Sequence, residues 1–114
     1  MKEPHHLPDT LTGDELLRAL AALSNPHRLR ILAALSQGRE YVSQLARVLA
    51  MSRPLLHMHL QRLEAAGLVT GHLELSEEGK AMKYYDIAPF AIGLSPESIA
   101  AAVVTLTDQK EAAE

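Results

Sequence analysis

No cysteine and no tryptophan occur among the 114 residues, and aromatic residues make up 4%. Without cysteine there are no disulfides, thiolate metal sites, thiol redox switches or sulfur nucleophiles. The 47% hydrophobic share is mostly Ala and Leu, a composition that fits a globular helical protein rather than a disordered chain. No apolar run reaches bilayer-spanning length, and the start MKEPHHLPDT lacks the apolar centre of a signal peptide, so a cytoplasmic location with no membrane partner is expected. Glycine-rich phosphate loops, His-Glu-x-x-His and nucleophile elbows are also missing, so the chain reads as a non-enzyme that calls for no cofactor.

The length suits one domain with a modest core, and pairing with a second copy is the natural way to bury more surface. Net charge is −3, but it is unevenly spread. Residues 27–65 carry Arg28, Arg30, Arg39, Arg47, Arg53 and Arg62 against Glu40 and Glu64, a net +4, while the flanks are acidic. Such asymmetry steers polyanions more than the total does, although a solvated helical surface rich in arginine accounts for it equally well.

Helix signals are dense. Thr12 and Glu15 have capping-box spacing, with Leu11 and Leu16 as a hydrophobic staple, and Leu16, Leu17, Leu20 and Leu23 continue to a break at Ser24-Asn25-Pro26. Pro26 suits the first turn of a second helix, capped by Ser24 or Asn25, which carries Leu29, Ile31, Leu32 and Leu35 and ends near Gly38. A short third helix (residues 43–50), a turn at Met51-Ser52 and a longer helix (residues 53–66) follow, the last capped by Ser52 and stopped at Gly67. The period then changes to that of two strands around a Ser76-Glu77-Glu78-Gly79 turn, and Ser95-Pro96-Glu97 opens a C-terminal helix lined by Ile99, Val103 and Leu106. The expected fold is therefore mainly α with a small β-hairpin wing: a winged helix-turn-helix of about five helices and two antiparallel strands, an order that presents one helix to a DNA groove. Residues 1–10 are expected to be a flexible extension, and 11–114 the domain.

The stretch Ala22-Leu23-Ser24-Asn25-Pro26-His27-Arg28-Leu29-Arg30-Ile31-Leu32 resembles the opening of ArsR-type winged-helix transcriptional regulators. Val42 to Val69 is similar to that family's helix-turn-helix signature, and Lys83-Tyr84-Tyr85-Asp86-Ile87 to the end of its wing. The resemblance covers most of residues 16–88. It implies a homodimer acting on double-stranded DNA, with the first and last helices at the interface. Leu16, Leu20, Ile99, Val103 and Leu106 are the candidate subunit contacts, part of that stripe also serving the core. The family's cysteine-based and last-helix Asp/His effector sites have no counterpart here, so the effector stays open.

At about 100° per residue the longer helix sets Leu56, Leu60 and Leu63 on one side and Pro54, Met58, Gln61 and Ala65 on the other. Arg62 and Leu55 fall at one border, His57 at the opposite one. Candidate DNA-contacting residues are Ser52, Arg53, Pro54, His57, Met58, Gln61 and Arg62. Gln61 can pair with adenine or a phosphate, Arg53 and Arg62 with phosphates or a guanine edge, His57 with a phosphate or a base, and Met58 and Leu55 with thymine methyls. Lys80 and Lys83 of the wing join them, although Glu77 and Glu78 at its tip oppose phosphate. Leu55 and Met58 fit equally a surface that docks a polypeptide, so a protein-interaction module is the alternative function. A His-based metal-responsive repressor is the other. His57 and His59 diverge too far around a helix to share one ion, which leaves His5 and His6. No metal ligand is assigned. Arg28 ties a helix end or carboxylate as readily as it meets a phosphate, and His59 suits a structural hydrogen bond.

Overall fold

The computed structural model describes residues 10–107, so the N-terminal extension with His5 and His6, and the tail from residue 108, lie outside the described residues. The first helix, α1 (Gly13–Leu23), starts on the reciprocal cap. Glu15 N–H donates to Thr12 Oγ1 at 3.1 Å and Thr12 N–H to Glu15 Oε1 at 2.8 Å, which satisfies two amides a helix start otherwise leaves open. In α2 (Pro26–Leu35) the cap is Asn25, whose Oδ1 accepts from His27 and Arg28 N–H, while Pro26 occupies the first turn.

A two-residue strand, β1 (Glu40–Tyr41), leads into α3 (Val42–Val48), α4 (Arg53–Ala65), β2 (Val69–Leu75), β3 (Ala81–Ile87) and α5 (Pro96–Val103). The sheet is antiparallel in the order β1-β3-β2, so the two expected strands gain a third. Tyr41 pairs with Tyr84, and β2 runs against β3 from Val69–Ile87 at the base to Leu75–Ala81 at the tip.

The two stops that frame the helix-turn-helix share one geometry. After α4, Gly67 takes φ 82°, Gly67 N–H donates to Glu64 O and Leu68 N–H to Leu63 O. After α3, Ala50 takes φ 53°, with Ala50 N–H on Arg47 O and Met51 N–H on Ala46 O. Both are left-handed caps that recover orphan carbonyls. Alanine in that conformation costs about 1 kcal/mol, and no glycine marks the position in the sequence. The turn is thus centred on Ala50 rather than on Met51-Ser52, and Met51 is buried in the core.

Ile31, Leu35, Leu45, Leu56, Leu60, Leu63, Leu68, Val69 and Tyr85 are fully buried and form one cluster shared by α2, α3, α4 and the base of the hairpin. Tyr85 lies across Gly71, where an added Cβ would stand 2.9 Å from the ring. Burial, then Glu64, raises the Tyr85 phenol above its ordinary pKa.

α5 stops at Val103, so Leu106 falls beyond the helix whose stripe it was expected to extend. Side chains divert the backbone there. Thr105 Oγ1 donates to Ala102 O and accepts from Gly13 N–H at 2.9 Å, and Asp14 accepts from both the backbone and the hydroxyl of Thr107. Those hydrogen bonds hold the Asp14 carboxyl below its ordinary pKa. They join the segment after α5 to the start of α1, and Gly13 permits the approach: a Cβ there would lie 2.5 Å from Ala102 O.

Candidate nucleic-acid interface

α4 is held by one side only. Leu56, Leu60 and Leu63 are fully buried, while Arg53, Pro54, Leu55, His57, Met58, Gln61 and Arg62 are exposed and lie together along the outer side. Ser52 is exposed too, although its Oγ accepts the Leu55 N–H as the helix cap. Two arginines and an amide side chain suit the recognition of phosphates and base edges, while Pro54, which has no N–H, and the capped Leu55 amide leave the backbone of this turn little to offer. The apolar share is considerable, since Leu55 and Met58 are each 38% exposed in the middle of this surface. Val48, on α3, is exposed as well.

The six arginines of the positive segment divide by role. Arg28 is turned inward, donating from Nε to His59 Nδ1 at 3.2 Å and from Nη1 to Ala22 O at 3.4 Å, so it ties a helix end rather than a carboxylate. Arg39 forms the one ion pair among the described residues, 3.9 Å from Glu74, and its guanidinium lies 4.3 Å from the centre of the Tyr84 ring. Arg30, Arg47, Arg53 and Arg62 remain on the surface.

The wing has two different faces. On one, His72 stacks on Tyr84, Tyr41 meets Tyr84 edge-on, and Tyr41 donates to Glu74, which raises its phenol's pKa. This cluster escaped sequence reasoning because its members come from a loop and three strands, with no local signal to join them. On the other face Leu73 and Leu75 project beyond the support of the helices, each 72% exposed. Lys80 and Lys83 are exposed, with the Lys83 ammonium 5.5 Å from the Tyr85 ring centre, and the tip carries Glu77 and Glu78.

The candidate subunit contacts separate into two groups. Leu16 and Leu20 are half-buried; Leu16 lines an open groove of about 330 Å³ with Leu11, Ile92, Ala101 and Ala102. Ile99, Val103 and Leu106 are exposed in the single chain. Among the described residues no group of three or more His, Asp or Glu side chains is placed to hold a metal ion, and no helix is long and apolar enough to cross a membrane.

Residues 25–70, which run from the cap of α2 to the start of β2, match the family described as "Bacterial regulatory protein, arsR family". An HTH-type transcriptional regulator of Methanocaldococcus jannaschii is 38% identical over 78 residues, covering 68% of this chain and 81% of that protein. The chain belongs to the ArsR family. Its fold is shared with the homodimeric winged helix-turn-helix DNA-binding domain of a Mycobacterium bovis protein, at 31% identity and TM-score 0.57, covering 80% of this chain and 75% of that one. The transcriptional repressor SmtB of Mycobacterium tuberculosis is 46% identical over 57 residues, half of this chain and 40% of the repressor. This ArsR-family protein is accordingly a transcriptional regulator built on the winged helix-turn-helix fold.

Proposed function

We propose that this regulator is a cytoplasmic homodimer that binds a pseudo-palindromic operator, without catalysis. Each subunit, residues 11–114, inserts the outer side of α4 into the major groove. One observation carries the reading: the contiguous surface of Arg53, Pro54, His57, Met58, Gln61 and Arg62 is open while the opposite side of the same helix is locked in the core. Ser52 and the first turn of α4 approach a phosphate, Arg53 and Arg62 hold phosphates or a guanine edge, and Gln61 reads adenine. Pro54, Leu55 and Met58 sit where hydrogen-bonding side chains would otherwise be, so apolar contact with thymine methyls has an unusually large share of recognition. Lys80 and Lys83 supply peripheral phosphate contact.

Homodimerisation is supported by the paired M. bovis domain and by the exposed Ile99, Val103 and Leu106 of this chain. Two reading helices then lie about one duplex turn apart, roughly 34 Å. A gel shift against genomic fragments at two salt concentrations tests the reading, with His57→Ala, Gln61→Ala and Arg62→Ala compared on specific and random duplex. Arg62→Ala is expected to weaken both and to lower the salt slope by about 0.9 for a lost phosphate contact. If none of the three variants weakens binding or its salt dependence, the interface is misassigned. Leu55 and Met58 also fit the docking of a polypeptide, and retention of a protein partner without duplex binding would favour that second reading.

A further inference from the structure

His59 is the polar side chain buried within the core, 3% exposed, on the inner side of α4. Its Nδ1 accepts from Arg28 Nε, and the same guanidinium reaches Ala22 O, so one side chain joins the end of α1 to α2 and to the middle of α4. His59 Nε2 is buried and has no hydrogen-bond partner. A ring that accepts at Nδ1 carries its single proton on Nε2, and arginine does not give up its own, so the contact exists only with neutral imidazole. No carboxylate is among the groups whose charge bears on the ring. Arg28 and His27 face it from α2, with the two imidazole centres 5.3 Å apart, and Arg62 acts from its own helix. The other elements packed on α4, namely α1, α3 and β2, add no charged group to that set.

We propose that the Arg28–His59 contact is a proton-sensitive lock on the pose of α4, closed while His59 is neutral and opened when it takes a second proton. The added proton would set Nδ1–H against Arg28 Nε–H, donor to donor, between like charges. Burial first, and Arg28 next, lower the His59 pKa below its ordinary 6.5, which keeps the lock shut at neutral pH. The unfolded chain takes the proton at the higher pH. The stability that the lock supplies is therefore complete above 6.5 and disappears as pH falls through the lower folded value. His59 is a positioning residue here, and the consequence for DNA rests on the function proposed above. Its sign is distinctive: a histidine that touches phosphate directly tightens that contact when it gains charge, whereas opening the lock weakens binding.

Nitrogen-resolved NMR of the His59 ring in the whole protein, with no DNA present, is the first test. The expected result is a neutral ring with Nδ1 as acceptor, a midpoint below 6.5, and α4 amide signals that shift with that midpoint. A midpoint at or above 6.5, the opposite tautomer, or α4 amides that ignore the titration would overturn the lock. Duplex affinity from pH 7.5 downward is the second test. Wild type should lose up to about tenfold per pH unit below the midpoint, while His59→Gln, which keeps an acceptor but cannot titrate, should match wild type at pH 7.5 and lack the fall. Parallel pH profiles for the two proteins also overturn it. Should the variant not fold, the wild-type ring titration decides. Absence of duplex binding at pH 7.5 alongside the expected ring titration leaves the lock standing and rejects the DNA reading instead.

Discussion

The body formed by α2, α3, α4 and the base of the hairpin holds every fully buried large side chain among the described residues, although Leu29, Val48, Leu55 and Met58 stay outside, whereas the flank formed by α1 and α5 buries only Gly13 and alanines. Leu56, Leu60 and Leu63 are sealed under α4, but Leu17, Ile99, Val103 and Val104 on the flank are all about half exposed or more. Between α1 and the end of α5, Gly13 approaches Ala102 closely, and backbone N–H groups of Gly13 and Thr107 donate to the side chains of Thr105 and Asp14. Such bonds are directional, so they fix how the two helices lie without burying much apolar area. In the homodimer proposed above, the flank is the surface that a second copy completes.

The sharpest way to break this comparison is to charge the flank. Ile99→Glu with Val103→Glu should give a folded monomer by light scattering at micromolar concentration and reduce operator affinity about 10²- to 10⁴-fold, the gain expected from two linked half-sites. A wild-type protein that is itself monomeric under those conditions would reject the interface. Leu60→Ala, in contrast, should destabilise the body by about 2–5 kcal/mol in denaturant unfolding, through the cavity it leaves. Gly13→Ala tests the join between the regions. Its Cβ has no room against Ala102 O, so a loss of about 1–3 kcal/mol and a weaker dimer are expected, while a neutral result would mean that α5 shifts freely. The smallest effect is assigned to the wing tip, where Glu77→Lys with Glu78→Lys should change stability by less than about 0.5 kcal/mol. Duplex affinity at low salt should barely rise, and a large gain would bring the tip close to phosphate.

Much of the fold was legible because its signals are local. Thr12 and Glu15, Asn25 and Pro26, Ser52, Gly67 and Ser95 stand at the helix ends that their chemistry favours, and each acts within three residues of itself. The open side of α4 was legible for the same reason, since helical periodicity alone separates Leu56, Leu60 and Leu63 from Met58 and Gln61. Ala50 was not, because an alanine forced into a left-handed cap carries no mark of it. β1 was not either, since two residues are too few for any alternation to show.

From the sequence by itself follow the helix boundaries set by caps, the switch to strand periodicity after Gly67, and the segment in which positive charge collects. Only the tertiary structure decided that Arg28 reaches across 31 positions to His59, that Arg39 settles over Tyr84, and that Asp14 and Thr105 end α5 early. The physical reason is range. Capping and periodicity are settled between neighbours along the backbone, but a side chain with several competing partners is assigned only when packing brings distant elements within hydrogen-bond distance.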